Sequence, residues 1–452
     1  MTRYDLAVLG GLVVSPAGCH PGGVAVRDGR IAALSAPDVE LDAARVIDAT
    51  GRWVMPGMVD IHVHLRDPGY PDKEDFATGT RAAAHGGVTT IGDMPNNQPP
   101  TSTAARYRQK LESVRGKAHV DFGLWAAGVD PDEFEAFADL GALGLKVYLA
   151  GPAQGAQYSD DLMVRDDGHL LAVLSGAARV GLPVAVHLAN PAIENRWRAA
   201  WHGRSFAELA DAVAAESRLD KVESAQRVLL LARETGAHVH LVHISAAALP
   251  LVRRAKADGV RVTAESFLPF MSTELIASAG VLGFDRYRRP DEVSALWQAM
   301  RTGLIDSLAT DHAPHTLAEK SRGEQVLLDS PSGYPELDTA LRMLLTEVID
   351  GRLSLARLVE LACAAPARIA GLYGRKGVIR PGADADLILV DPDANGCITE
   401  ETLQTKAGWT PFAGRRVRGE LAEVILRGRT ICTGDRVTTH PGQGEPLRRR
   451  NP

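Results

Sequence analysis

The chain of 452 residues is long enough for one large domain with a smaller one beside it. Its formal net charge of −6 gives no reason to expect nucleic-acid binding, and its 45% hydrophobic and 23% charged residues are typical of a soluble globular protein. The four cysteines are scattered and form no Cys-x-x-Cys pair, which argues against a disulfide scaffold and fits a reducing compartment. Residues 1–14 carry Asp5 and two glycines in place of a long apolar run, and no later segment reaches the roughly 18 apolar residues of a membrane helix, so we expect a soluble, cytoplasmic protein.

Both ends of the chain have the pattern of short β-strands. Alternating segments broken by glycine predict strands at Tyr4–Val14, Gly23–Val26, Ile31–Ala33 and Val46–Ala49. Similar segments return at Gly377–Ile379, Asp386–Val390 and Glu423–Arg427. We therefore expect residues 1–53 and 375–440 to meet in one discontinuous β domain, followed by a disordered basic tail at 441–452.

The middle of the chain, residues 54–374, alternates apolar strands with amphipathic helices. The predicted strands are Val88–Ile91, Phe122–Ala126, Gly144–Leu149, Pro183–His187, Val239–Ile244, Arg261–Ala264 and Ile305–Ala309. The predicted helices are Thr78–Ala84, Ala104–Val114, Asp167–Ala178, Lys221–Glu234, Ala246–Ala257, Pro290–Arg301 and Glu336–Thr346. This alternation predicts an α/β fold, a (β/α)₈ TIM-like barrel of about 250 residues or more. The competing doubly wound sheet would be favoured by a Gly-x-Gly-x-x-Gly turn after the first strand, which the sequence lacks.

Two histidines, His62 and His64, alternate within the apolar run of residues 59–65. In a buried strand this spacing puts both imidazoles on one face, where they can chelate one metal ion. Taken alone, the pair is equally consistent with hydrogen-bonded core histidines. Four more residues of ligand type lie on or end other predicted strands: Lys146, His187, His243 and Asp311.

A parallel barrel brings the carboxyl ends of its strands to one mouth, so these six residues are expected to meet there. Each has an ordinary alternative: a lysine stem can extend to the surface, and a histidine at a strand end can be hydrogen-bonded. Four imidazoles and a carboxylate can hold two divalent ions if a further group bridges them. Lys146 carrying CO₂ as a carbamate would supply that bridge and would lose its buried positive charge.

The ordered set resembles that of the amidohydrolase superfamily, and the local motifs are similar to those of its cyclic amidohydrolases: dihydroorotase, allantoinase and hydantoinase. The motifs are Pro56–Gly69, Gly79–Thr90, Asp93–Asn97, Ala309–His315 with Glu319-Lys320, and Pro381–Asp386. The resemblance extends over essentially residues 4–435 and implies a distorted barrel with a small β-sandwich built from both termini.

The resemblance also implies a metal centre with two divalent ions, expected to be zinc. The ligands would be His62, His64 and Asp311 for one ion, His187 and His243 for the other, and N-carboxylated Lys146, with a hydroxide, as the bridge. Asp311 would also be the catalytic acid and base, which accepts the hydroxide proton and delivers it to the leaving ring nitrogen.

The substrate implied most directly is dihydroorotate, interconverted with N-carbamoyl-aspartate. In dihydroorotases an Arg, an Asn and a His grip the substrate carboxylate, and Arg66, Asn96 and His315 match these positions. The alternative for Arg66 is a surface ion pair with a neighbouring carboxylate. Residues 264–270 and 284–290 depart from the family pattern in segments that serve ring recognition. An allantoinase or a hydantoinase, which includes dihydropyrimidinase-like enzymes, is therefore the alternative.

Two other classes are disfavoured by the ligand set. A non-catalytic scaffold relative would have lost ligands, whereas all six positions are filled. A mononuclear deaminase of the superfamily would not need Lys146. The expected partner is a small cyclic amide or ureide, with no nucleic acid and no membrane, and the resemblance implies a homodimer or homotetramer.

Overall fold

The computed structural model describes residues 3–37, 39–149, 160–201, 203, 206–267, 279–282 and 289–450. The chain begins with five strands: β1 (Tyr4–Ser15), β2 (Gly18–Arg27), β3 (Arg30–Ser35), β4 (Ala43–Asp48) and β5 (Trp53–Pro56). The strand β5 was not predicted, and it pairs in parallel with β1, so the terminal sheet continues past the expected domain boundary at residue 53.

A parallel barrel follows. Its strands are β6 (Met58–Val63), β7 (Val88–Asp93), β8 (Asp121–Leu124), β9 (Ala126–Ala127), β10 (Leu145–Tyr148), β11 (Val184–His187), β12 (Val239–Leu241), β13 (Val262–Ser266) and β14 (Ser307–Leu308). They form a three-stranded sheet β6-β7-β8 and a six-stranded sheet from β9 to β14. Since β8 and β9 are halves of one strand interrupted at Trp125, the described strands occupy eight positions. A parallel bridge between Val63 and His312 closes the circle, and His64 N donates to the carbonyl of His312 at 2.8 Å.

This topology confirms the predicted (β/α)₈ architecture. The inner strands β6 and β7 are buried at every residue, as expected for a parallel sheet covered on both faces. The strand containing His243 ends earlier than predicted: β12 stops at Leu241, and His243 lies in a turn with φ of 37°. All strands of the circle run the same way, so their carboxyl ends share one mouth.

Helices alternate with the barrel strands along the chain. They are α1 (Phe76–His85), α2 (Ala104–Val114), α3 (Phe134–Leu140), α4 (Asp167–Val180), α5 (Pro191–Trp201), α6 (Phe206–Thr235), α7 (Leu249–Ala257), α8 (Pro290–Thr302), α9 (Leu317–Lys320), α10 (Ala340–Ile349), α11 (Leu355–Val359) and α12 (Ala365–Ile369). Helix α1 starts at a capping box in which Asp75 accepts from Thr78 N, so the preceding loop is fixed against the barrel mouth. None of the described helices is long and apolar enough to cross a membrane.

The chain then returns to the terminal sheet through β15 (Leu387–Cys397), β16 (Arg416–Leu426), β17 (Arg429–Thr433) and β18 (Arg436–Val437). The nine strands are ordered β18-β17-β16-β15-β5-β1-β2-β3, with β4 beside β1, so both termini build one sheet as predicted. The predicted strand at Gly377–Ile379 is wrong, because Gly377 has a φ of 74°, which a strand does not accommodate. Close by, the ammonium of Lys376 is buried among three carboxylates: Asp121, Asp384 and Asp386.

The predicted disordered tail is also wrong over its described part, residues 441–450. Leu447 N donates to the carbonyl of Phe122, and the Leu447 side chain is 3% exposed. It packs into a cluster inside the barrel with Val59, Ile61 and Leu143. The guanidinium of Arg449 donates to the carbonyls of Leu143 and Ile369. Because residue 143 precedes β10, the tail crosses the amino ends of the strands, opposite the mouth; composition alone could not reveal this packing.

Candidate metal centre and active site

The predicted ligands lie at the carboxyl ends of the barrel strands. His62 is in β6 and His64 directly follows it, while Asp311 follows β14. The His62 Nε2 and Asp311 Oδ1 atoms are 3.3 Å apart, and the His64 Nε2 and Asp311 Oδ1 atoms are 3.1 Å apart. One ligand atom from each residue lies within 4.8 Å of the others, a spacing that can hold a metal ion. The barrel thus joins residues that are about 250 positions apart in the chain.

A second pair of imidazoles adjoins this cluster. His187 ends β11, and its Nδ1 atom lies 3.0 Å from His243 Nε2. The rings of His62 and His243 have centroids 5.8 Å apart, so the pair and the cluster belong to one site. Burial lowers the pKa of both His187 and His243 well below the usual value. Both rings are therefore neutral near pH 7, the form in which histidine binds metals.

Lys146 lies in β10 between these two groups. Its Nζ atom is 3.3 Å from His62 Nε2, and the residue is 1% exposed, so the alternative of a stem extending to the surface does not apply. Burial lowers the pKa of Lys146 to about 8, although the charges of Asp311 and Glu265 act in the opposite direction. A lysine with this pKa has a substantial neutral fraction near pH 7.5.

Two hydrogen bonds fix which nitrogen each histidine presents to the site. His62 Nδ1 donates to Glu265 Oε1 at 2.8 Å, and His64 Nδ1 donates to the amide oxygen of Asn96 at 2.6 Å. In each ring the Nε2 atom is left facing Asp311. Such outer partners orient metal-binding imidazoles and raise their basicity. The sequence analysis assigned no role to Glu265 and gave Asn96 only a substrate role. A carboxylate within an apolar strand was the feature of the sequence that could have drawn attention to Glu265.

Two further buried carboxylates hold the strand ends in register. Asp60 is fully buried, and it accepts from His62 N at 3.1 Å and from the Thr310 hydroxyl at 2.5 Å, which ties β6 to the segment carrying Asp311. Burial raises the pKa of Asp60 to about 7. Asp93 accepts from Leu65 N at 2.8 Å, between His64 and Arg66. Both were visible in the sequence as acids in apolar strands but were not singled out.

Three site residues have left-handed backbone conformations without being glycine. The φ angles are 62° for Arg66, 37° for His243 and 49° for Asp311. This region costs a non-glycine residue of order 1–3 kcal/mol and tends to occur where function requires a particular side-chain direction. All three side chains contribute to the mouth of the barrel, so three of the five non-glycine residues with positive φ in the described ranges lie at the site.

The structure brings together only two of the three residues predicted to bind a substrate carboxylate. Arg66 Nη2 lies 3.3 Å from His315 Nε2, so these two are brought together. His315, however, is 3% exposed; its Nε2 donates to the carbonyl of Ser332 at 2.9 Å, and its Nδ1 accepts from Lys73 Nζ at 3.1 Å. Both ring nitrogens of His315 therefore have protein partners. Asn96 lies beside His64 instead, through the hydrogen bond described above.

Comparison with known proteins bears on the whole arrangement. The sequence model of the amidohydrolase family matches residues 53–431. The chain belongs to this family. Among similar proteins, an allantoinase of Rubrobacter xylanophilus is 37% identical over 98% of this chain and 97% of its own length. A dihydroorotase of Pelotomaculum thermopropionicum is 34% identical over 96% of this chain and 99% of its own length.

The fold of this amidohydrolase is also that of solved relatives. The L-hydantoinase (dihydropyrimidinase) from Arthrobacter aurescens superposes with a TM-score of 0.91 and 31% identity over 99% of this chain and all of that one. This similarity confirms the resemblance to cyclic amidohydrolases. It also confirms the predicted fold, a barrel joined to a sheet built from the terminal strands. The relatives carry three different substrate names, so the ring is not decided by family membership.

Of the two segments that depart from the family pattern, 264–270 and 284–290, residues 268–270 and 284–288 lie outside the described residues. In the described part of the first segment, Glu265 is hydrogen-bonded to the predicted ligand His62, and the ring of Phe267 lies near that of His243 with centroids 6.1 Å apart. The first segment therefore also contacts two of the predicted metal ligands, whereas the sequence linked it only to ring recognition.

Proposed function

We propose that this amidohydrolase hydrolyses an amide C–N bond within a ring, with two divalent metal ions bound at the barrel mouth. The observation that carries the proposal is the convergence of His62 Nε2, His64 Nε2 and Asp311 Oδ1 beside the buried amine of Lys146 and the neutral His187–His243 pair. Imidazole nitrogen with carboxylate oxygen is a donor set that suits zinc.

The residues present fit two ions. His62, His64 and Asp311 would hold one ion, His187 and His243 the other, and carboxylated Lys146 would lie between them. When bound, the ions supply a hydroxide at neutral pH and polarise the ring carbonyl. The hydrogen bonds from His62 and His64 to outer acceptors support this assignment, because both rings are held with Nε2 toward Asp311.

The surroundings of Lys146 support its carboxylation. The neutral amine attacks CO₂, a C–N bond forms, and one proton leaves, so a buried cation becomes an anionic carbamate. The lowered pKa of about 8 supplies the neutral amine. The carbamate would then be surrounded by imidazoles and metal ions, which favour an anion.

Asp311 is the proposed acid and base. Its side chain is 20% exposed, whereas the side chains of His62 and His64 are 1% and 6% exposed, so Asp311 is the member of the cluster that a substrate can reach most easily. It would accept the proton released as hydroxide attacks the carbonyl carbon. It would then deliver that proton to the ring nitrogen as the C–N bond breaks, because an amide anion is a very poor leaving group.

For the ring itself, we propose a hydantoin-type ureide such as allantoin. The sequence favoured dihydroorotate through a carboxylate grip that includes His315, but both nitrogens of His315 are engaged by Ser332 and Lys73. The allantoinase relative, at 37% identity over nearly the whole chain, also supports a ureide. Dihydroorotate is the second candidate, because the buried guanidinium of Arg66 remains at the mouth. The homodimer or homotetramer stays a prediction, which light scattering of the purified protein tests.

The test is ring opening by protein supplied with zinc and bicarbonate, given allantoin, hydantoin, dihydrouracil and dihydroorotate in parallel. We expect allantoin or hydantoin to be opened fastest. A preference for dihydroorotate would instead support the second candidate and a substrate role for Arg66. Protein that holds two zinc ions per chain yet opens none of these rings would contradict the proposal.

The Lys146→Ala variant tests the metal assignment. We expect it to lose most bound zinc and most activity, because the bridging group is gone. Lys256→Ala is a matched control: that lysine pairs with Asp306 outside the mouth and should leave zinc content unchanged. Full activity of Lys146→Ala would refute the two-ion arrangement.

A further inference from the structure

Glu265 lies at the centre of a buried hydrogen-bond chain behind the metal cluster. It belongs to β13, is 1% exposed, and uses both carboxylate oxygens. Oε1 accepts from His62 Nδ1 at 2.8 Å, and Oε2 accepts from His240 Nε2 at 3.1 Å. His240 lies in β12, so one carboxylate links three barrel strands at the level of the site.

The hydrogen-bond chain continues beyond His240 to Thr263. His240 Nδ1 lies 2.9 Å from the Thr263 hydroxyl. Because the Nε2 atom of His240 must carry the proton given to Glu265, its Nδ1 atom accepts from Thr263. A carboxylate donates nothing, so His62 must likewise carry its proton on Nδ1 and keep its Nε2 lone pair for the mouth. Glu265 thereby fixes the tautomer of His62.

The charge of Glu265 is set by the same partners. Its two oxygens accept from His62 Nδ1 and from His240 Nε2, so the buried carboxylate has a hydrogen-bond donor on each side. A buried carboxylate is costly unless it is paired. Glu265 pairs with the imidazole of His62, a predicted metal ligand. A histidine that donates to a carboxylate becomes a more basic ligand than one that donates to a neutral acceptor.

We infer that Glu265 is a positioning residue for the metal centre: its carboxylate holds His62 with Nε2 aimed at the ion and is itself held by His240. This inference rests on the proposed metal-dependent function. Glu265 is 1% exposed, so it acts through His62. Its effect is on the affinity of the ion bound by His62, His64 and Asp311.

The plainer role for Glu265 is to brace β6, β12 and β13 against each other, which would affect stability but not metal affinity. The two roles differ in what a substitution changes. In Glu265→Gln the amide nitrogen cannot accept, so one of the two imidazole N–H groups loses its partner. Outer-shell losses of this kind typically cost about 10- to 100-fold in metal affinity.

The experiment measures the zinc dissociation constants of metal-free protein by competition with a chromophoric chelator, and folding by circular dichroism. We expect Glu265→Gln to weaken zinc at one of the two sites by about 10- to 100-fold while the other site is much less affected. Cobalt bound in place of zinc should also show an altered visible spectrum. Glu347→Gln is the matched control: it removes a buried carboxylate that pairs with Arg352 and Arg415 and should leave zinc affinity unchanged.

If Glu265→Gln does not fold, the pair His240→Gln and His240→Leu replaces it. Glutamine can still donate to Glu265, whereas leucine cannot, so only the leucine variant should weaken zinc. Folded Glu265→Gln protein with the zinc affinity of the wild type, or equal zinc binding by the two His240 variants, would overturn the inference. Wild-type protein that binds no zinc would instead refute the proposed function.

Discussion

The packing of the C-terminal segment yields a quantitative prediction. The Leu447 side chain is 3% exposed and joins Val59, Ile61 and Leu143 at the end of the barrel opposite the mouth. Leu447→Ala removes three carbon groups, which at about 0.8 kcal/mol for each buried group gives about 2.4 kcal/mol of lost transfer free energy. The cavity left among rigid strands adds to this, so we expect the free energy of unfolding to fall by about 3 kcal/mol.

The assay is urea unfolding followed by tryptophan fluorescence, together with zinc content and ring-opening rate of the folded protein. Leu219→Ala is the matched control, because Leu219 is 62% exposed and the same truncation there should change the free energy of unfolding by less than about 0.5 kcal/mol. Zinc content and rate should stay at wild-type values, since Leu447 lies at the far end of the barrel. If both variants unfold at the wild-type urea concentration, residues 441–450 do not pack as described and the original expectation of a disordered tail is restored.

Three further predictions concern charged groups. Lys376→Met strips the cation from its three buried carboxylates and should lower the free energy of unfolding by about 3–5 kcal/mol in urea titration; an unchanged midpoint would show that the cluster contributes nothing. Asp311→Asn should lower kcat by at least about 100-fold in protein that still folds, and a rate near that of the wild type would exclude Asp311 as the proton carrier. Burial lowers the pKa of His85, but its hydrogen bonds with Asp338 and Asp435 outweigh burial and raise it. The stability that His85 contributes is therefore full below its unfolded pKa of about 6.5 and is lost as pH rises through the raised folded value, so the difference in unfolding free energy between wild type and His85→Gln should be larger at pH 6 than at pH 9.

Local sequence patterns were sufficient to predict most helices and strands and to identify the candidate metal ligands. The helix predicted at Ala104–Val114 has those bounds in the structure, and the buried strand around His62 follows from an apolar run that no surface segment would carry. His-x-His spacing, a lysine inside a strand and acids at strand ends are chemical signals that do not depend on distant contacts. For that reason six ligand candidates and the barrel could be named from the sequence alone.

What only the tertiary structure decided is which groups those side chains touch. Glu265 and His62 are 203 positions apart, and nothing local to either residue predicts their hydrogen bond. His315 matched a substrate-binding position, yet the fold supplies Ser332 and Lys73 as partners for its two nitrogens. Leu447 lies in a basic, glycine-flanked segment typical of a disordered end, and it is buried because the amino end of the barrel presents the apolar side chains of Val59, Ile61 and Leu143. Side-chain identity is fixed residue by residue, but hydrogen-bond partners and burial depend on which strands the barrel brings together.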